Sequence, residues 1–335
     1  MDIPFSFQVQ RTQRVEKTRT YCHYKKSAVL SALQKACVKS DVVAAMTHGV
    51  ELCVSGHVND MWQRILKISC QFIHRKNPKL FTYLVKEYLR FKTRLATHDH
   101  NSQELRNHVA EVICAVAVST KHDKPFKKAS VKPGDFDTRT LTGRCKAPRK
   151  YVAFQKSDAA ILRVGANEFA HHLYAGTHTH ATREDCVYWL SWLFYLQDAH
   201  KKSKKALRAG TRPNQHVDPK FYDRPDWLIW EIVRRHPSLC DKKSVEYDVF
   251  KSLWHLYCYE YKGQTTKRVF LYAVVLVLLN TEPVLRYDET HALQHVDVLI
   301  QIQLCVNQMF VDCEKRKLAY DAQQRSRNAQ SSAVA

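Results

Sequence analysis

Apolar positions recur along this chain with helical rather than alternating spacing. Over residues 27–47 they fall at Val29, Leu33 and Ala36, then at Val42, Val43, Ala45 and Met46. Steps of three and four put such side chains on one face of a helix. Ser40-Asp41 divides the stretch into a helix pair and supplies an N-cap for the second helix, which Gly56 ends. An Asp side chain there accepts from an otherwise unbonded amide, and glycine accepts the left-handed backbone that closes a helix. Residues 59–74 carry Met61, Trp62, Ile65, Leu66, Ile68, Phe72 and Ile73 on one broad stripe, with Asn77-Pro78 as the stop. Two more helices are predicted over 78–91 and 102–120, the second almost wholly apolar from Val109 to Val118. Such a helix belongs at the centre of a bundle.

Residues 121–150 break this pattern. They hold Pro125, Pro133, Gly134, Gly143 and Pro148 among many lysines and arginines, as a linker or a long basic loop would. Helical periodicity returns near Phe154 and strengthens over 167–196, and a second basic insertion follows at 201–213. Helices are then predicted over 227–235, 249–261 and 266–279, with a last amphipathic one over about 291–320. The polar tail 323–335 is expected to be disordered.

The two halves read as copies of one another. Asp41-Val-Val-Ala-Ala-Met-Thr-His-Gly-Val sits against Asp185-Cys-Val-Tyr-Trp-Leu-Ser-Trp-Leu-Phe, and the Trp62 helix sits against the Trp227 helix. The helices beginning at Leu80 and Asn101 sit against those beginning at Val249 and Thr266. The expected fold is therefore all-α: two similar helical bundles, 21–120 and 151–322, joined by a basic linker over 121–150 and preceded by a basic arm over 1–20. Composition agrees. The 335 residues are 45% hydrophobic with only 8 glycines and 10 prolines, enough apolar surface for a core and too few turn residues for a sandwich or barrel. The most apolar run, 269–279, is too short to span a bilayer, and no signal peptide opens the chain. Eleven cysteines, many on apolar helix faces (Cys37, Cys53, Cys70, Cys114, Cys186, Cys258, Cys305), read as buried thiols of a reducing compartment rather than a disulfide framework. A soluble, intracellular protein with no membrane association is expected.

Charge changes the picture most. Lys and Arg number 53 against 32 Asp and Glu, a formal net charge of +21. Self-repulsion of that size is relieved by an anionic partner, so nucleic acid is expected, with DNA the first candidate, an acidic protein or membrane surface being the alternatives. The cations cluster: Arg11, Arg14, Arg19, Lys25 and Lys26; then Lys121, Lys124, Lys127, Lys128, Lys132, Arg139, Arg144, Lys146, Arg149 and Lys150; then Lys201, Lys202, Lys204, Lys205, Arg208 and Arg212. Each neutralised phosphate releases condensed counterion, and clustering in loops suits backbone contacts more than base readout. A solvated surface or a nuclear-localisation signal is the plainer account.

Other chemistry is thinner. His171, His172, His178 and His180 could contribute to a metal site, and Cys53 with His57 or Cys70 with His74 has one-turn spacing, yet no pattern completes four ligands. No metal and no cofactor are expected. Nothing places a base beside a cysteine nucleophile. The stripe Tyr188, Trp189, Trp192, Phe194, Tyr195 could stack bases, but its helical spacing reads as core, as do Trp227, Trp230 and Trp254.

The string His23-Tyr, Ser31-Ala-Leu-Gln-Lys-Ala, Lys39-Ser-Asp, Ala44-Ala-Met, Met61-Trp-Gln-Arg-Ile-Leu and Asn77-Pro resembles the helical region that follows the ATPase core in the RarA/MgsA group of clamp-loader-related AAA+ proteins, over about residues 20–120. The resemblance implies an α-helical module for oligomer assembly, with replication proteins as partners, since in that family it is attached to a DNA-dependent ATPase acting at stalled forks. This chain has no GxxxxGK[ST] loop to cradle phosphates, so a non-enzymatic accessory of DNA replication or repair is expected. The acidic residues that precede Asn-Pro in the family are replaced by Gln71-Phe-Ile-His-Arg-Lys. The second copy, with Asp223-Arg-Pro-Asp-Trp and Lys267-Arg-Val-Phe, looks like proteins of large DNA viruses. That leaves a virion or nucleoprotein component neutralising packaged nucleic acid as the alternative.

Overall fold

A computed structural model describes residues 17–97, 102–132, 134, 147–152, 154–175, 179–203, 207–279 and 296–334. Among them are eleven α-helices and no strand, the one extended pairing being an isolated bridge between Arg19 and Lys25. The helices are α1 (Lys26–Val38), α2 (Val42–Val54), α3 (Val58–Ile68), α4 (Lys79–Thr97), α5 (Gln103–Val118), α6 (Ala160–Leu173), α7 (His180–Lys202), α8 (Pro225–Arg234), α9 (Val245–Cys258), α10 (Arg268–Leu278) and α11 (Val296–Val334). None of the described helices is long and apolar enough to cross a membrane.

Local chemistry sets the helix ends. Asp41 accepts from the Ala44 amide at 3.0 Å to start α2, and Gly56 at φ 72° follows its end. Ser102, Thr179 and Ser244 cap α5, α7 and α9 in the same way. The stripe over 59–74 is not one regular helix. After Ile68 the chain widens into a π turn, Ser69–Ile73, and then tightens into a 3-10 turn, His74–Lys76. Ser69 Oγ donates to the Ile65 carbonyl at 3.1 Å, the back-bonding that bends a helix. The periodic stretch 167–196 likewise divides into α6 and α7.

The chain forms two compact units. One gathers the described residues within 1–73, 83–122 and 288–335; the other gathers those within 74–82 and 123–287. In unit 1 α2 and α5 lie at the centre. Gly49 brings them together, because a Cβ there would stand 2.1 Å from Ile113 Cδ1. Helix α1 packs on α2, and α4 covers α3 and α5: Trp62 meets Tyr88 edgewise at 5.3 Å and Phe91 at a tilt at 5.6 Å, and Glu87 faces His108 at 3.2 Å.

Helix α11 completes this unit. It buries Leu299, Ile302, Val306, Phe310 and Cys313 while packing on α5 and α2. Sequence periodicity alone places this last helix in the second bundle; the structure puts it in unit 1. The structure also continues it through Val334, whereas the tail from 323 was expected to be disordered. Residues 321–334 contain neither glycine nor proline to stop it.

In unit 2, α6 and α7 form an antiparallel hairpin so close at Gly165 that a Cβ there would come 2.5 Å from Trp192 Cζ3. Helices α8 and α9 share an aromatic cluster in which Trp227 and Trp230 meet Trp254 and Tyr257 edge to face, with centroids 5.0–5.7 Å apart. The aromatic stripe of α7 is core as expected: Trp189, Trp192 and Phe194 are buried, Tyr188 and Tyr195 half-buried. Part of the expected linker is no tether. Residues 123–132 belong to unit 2, where the Ala129 amide donates to Ser191 Oγ at 3.1 Å and the Phe126 ring lies 5.2 Å from Tyr272. Ser191 Oγ and the Tyr272 hydroxyl are themselves 2.9 Å apart.

Candidate nucleic-acid interface

The basic residues sort by what their charges already do. Lys124, Lys127, Lys128 and Lys132 are exposed along the segment fastened at Phe126 and Ala129. Lys201 and Lys202 are exposed in the last turn of α7, where the negative end of the helix dipole favours cations. Arg149 and Lys150 are exposed on the 3-10 turn Arg149–Tyr151. That turn is pinned by Tyr151, stacked on Tyr174 at 3.8 Å, and Lys150 Nζ stands 4.8 Å from the Tyr151 ring. Arg208, also exposed, faces Asp223 at 3.4 Å.

In unit 1 Arg19 and Lys25 are exposed, and Arg19 donates to the His23 carbonyl. Lys26 is half-buried and pairs with Asp60 at 2.9 Å. Arg11, Arg14, Arg139, Arg144, Lys146, Lys204 and Lys205 lie outside the described residues.

Two of the candidates are structural. Arg212 is buried, and its guanidinium donates to both Asp158 oxygens at 2.9 Å, to Glu231 Oε2 at 2.7 Å and to the Gly210 carbonyl at 2.9 Å. With its donors turned inward it offers no fork to a phosphate. Asp158 is buried too, which alone would raise its carboxyl; donation from Arg212 and from the Gly210 and Gln155 amides holds it below the ordinary range instead. Lys121 is half-buried and closes α5, donating to the Ala117 and Ser119 carbonyls at 2.6 and 2.7 Å. Burial lowers its ammonium to about 8. In sequence both were indistinguishable from their solvated neighbours.

The histidine candidates do not converge. His171 and His172 cross edgewise at 5.2 Å, His172 lies 3.9 Å from Asp185, and exposed His180 lies 3.4 Å from Glu184. His178 lies outside the described residues. Cys53 donates to Met61 Sδ, and His57 hydrogen-bonds the Arg19 carbonyl at 2.9 Å, so that pair does not face a common centre. Ten described cysteines carry free thiols; Cys37, Cys70, Cys114, Cys186 and Cys258 are buried, Cys53 is half-buried, and Cys305, expected on a buried face, is exposed.

The chain does bring one ligand-like group together in unit 1. Cys22, Glu51 and Cys313 are 2%, 3% and 0% exposed, with ligand atoms all within 4.8 Å of one another. The Cys22 amide donates to Glu51 Oε1 at 2.9 Å, and the Cys313 thiol donates to Glu51 Oε2 at 3.2 Å. The two sulfurs are 3.9 Å apart. No sequence motif links residues so far apart along the chain. This chain matches no protein-family model, no curated protein and no solved structure.

Proposed function

We propose that the protein is a non-enzymatic accessory factor that holds nucleic acid, DNA in the first instance, by its phosphate backbone. The lysines of residues 124–132 are the principal contacts, joined by Lys201, Lys202, Arg149 and Lys150. The observation that carries this reading is the fastening of the basic segment: Ala129 and Phe126 hold it against unit 2 while four lysines face solvent. Cations on an anchored segment lose less freedom on meeting phosphates than cations on a loose tether.

The proposal extends to architecture. Helices α1–α5 and α6–α10 are two runs of five, each opening with a packed helix pair, which supports descent from one duplicated unit. With the resemblance to the clamp-loader collar, this favours a scaffold that assembles with itself or with replication proteins rather than a catalyst.

The test is a salt-titrated binding assay on single-stranded, duplex and forked DNA with the wild type and Lys124→Gln/Lys127→Gln/Lys128→Gln/Lys132→Gln. Four lost contacts should flatten the log-log salt slope by about 3.6. Between 50 and 200 mM salt the wild type should therefore lose about 150-fold more affinity than the variant. An unchanged slope removes the segment as the contact surface.

A further inference from the structure

The group formed by Cys22, Glu51 and Cys313 is built from three separate elements of unit 1: the turn before α1, helix α2 and helix α11. Two features set it apart from ordinary core packing. The first is charge. Glu51 is buried, and among the described residues no lysine or arginine pairs with it. Its carboxylate accepts from the Cys22 amide at 2.9 Å and from the Cys313 thiol at 3.2 Å, both neutral donors. A buried anion without a countercharge is costly.

The second feature is distance. A tetrahedral zinc site has Zn–S bonds of about 2.3 Å and Zn–O bonds of about 2.0–2.2 Å, so its S···S and S···O edges are about 3.8 and 3.6 Å. The corresponding separations here are 3.9 Å between the sulfurs and 3.2 Å from Cys313 Sγ to Glu51 Oε2. These two edges are within a few tenths of an ångström of the tetrahedral values, and the third, from Cys22 Sγ to the Glu51 carboxylate, is within 4.8 Å, so an ion would have to draw that side in. A disulfide would instead require the sulfurs to close to about 2.05 Å.

The geometry points to a binding site for one borderline-soft divalent cation of the zinc class, with Cys22 Sγ, Cys313 Sγ and a Glu51 oxygen as ligands and water in the fourth position. On binding, each thiol gives its proton to solvent and its sulfur lone pair to the metal, so two protons leave per ion and the site carries a net charge of −1. Bound metal would fasten the turn before α1 and the helix α11 to α2, making metal occupancy a condition for a fully assembled unit 1.

The experiment uses the full chain, prepared reduced and stripped with chelator, and titrated with Co²⁺ alone as an optical probe. The expected result is one Co²⁺ per chain, a thiolate-to-cobalt charge-transfer band of two-thiolate intensity, displacement by Zn²⁺, and a rise in Tm with Zn²⁺. Cys22→Ser and Cys313→Ser should each lower the band by about half and weaken Co²⁺ binding at least about tenfold, as loss of one ligand of three would. Glu51→Gln should weaken it similarly while leaving the two-thiolate band. Cys37→Ser, a buried cysteine elsewhere in unit 1, should leave the titration unchanged. X-ray absorption on the zinc-loaded wild type, which needs no variant to fold, should report two sulfur neighbours with the remainder oxygen. Failure of the wild type to take up Co²⁺ or Zn²⁺ overturns the assignment, as does a full-intensity band in either cysteine variant. It is equally overturned if glutathione disulfide joins Cys22 to Cys313 in a chain that takes up neither metal, which would make the pair a redox couple.

Discussion

Replacing Arg212 with methionine separates the two roles that cations play in this protein. Methionine keeps much of the apolar stem and removes the guanidinium. In the wild type that group makes two bonds to Asp158, one to Glu231 and one to the Gly210 carbonyl, while Asp158 also accepts from the Gly210 amide at 2.6 Å and the Gln155 amide at 2.7 Å. The Asp158 side chain is 0% exposed. Its charge would be left in the core with two backbone amides but no cation, a loss of about 3–5 kcal/mol. Against a domain stability of about 5–15 kcal/mol this is a large fraction. With a urea slope of about 3 kcal/mol per molar, the unfolding midpoint should fall by about 1–1.7 M. Tryptophan fluorescence reports on the affected part, since Trp189, Trp192, Trp227, Trp230 and Trp254 are in unit 2 and only Trp62 is in unit 1. Measured where the variant is still folded, its salt slope for DNA should equal that of the wild type. An unchanged midpoint together with a slope reduced by about one would refute the structural role and make Arg212 a phosphate contact.

Two further outcomes follow from the same geometry. Gly165→Ala should destabilise unit 2 by about 1–3 kcal/mol, because the new methyl meets the Trp192 ring with no room to retreat; a urea midpoint equal to that of the wild type would show that the hairpin can spread without cost. The acid response should depend on Arg212. The Asp158 carboxyl is depressed in the folded state, so its contribution is fully present above the unfolded value of about 3.9 and is lost as pH falls through the lower folded value. In Arg212→Met the buried carboxyl has no cation and favours protonation, so the sign reverses and falling pH relieves part of the defect. Parallel acid titrations of wild type and variant, differing only by a constant offset, would contradict this.

Much of the fold is legible in the sequence where short-range chemistry decides it. Ser40-Asp41 marks a cap because an aspartate placed before an apolar period has one dominant use, and the tryptophans of α7 and α8 read as core because helical spacing collects them on one face. Spacing does not name the surface that a face meets. The apolar stripe of α11 therefore told of a buried helix without telling that its partners are α2 and α5, formed some 180 or more residues earlier. The basic segment read as a linker because its fastening depends on one backbone amide, Ala129, and one ring, Phe126, set among prolines and lysines. Arg212 lay in a run of cations whose members differ only in whether Asp158 and Glu231 come to meet them. Cys22, Glu51 and Cys313 carried no signal at all, since three ligands from three elements leave no local spacing to find.

The route of the chain through unit 1 bears on how the protein is made. Residues beyond 296 supply one wall of a core whose other walls are complete by residue 118, and the whole of residues 123–287 is translated in between. Unit 2 can therefore acquire its structure on the ribosome while unit 1 still waits with the apolar faces of α2 and α5 uncovered. Removing α11 would leave that state permanent, so C-terminal truncation should produce a chain with an intact unit 2 that binds chaperones and aggregates through its first hundred residues.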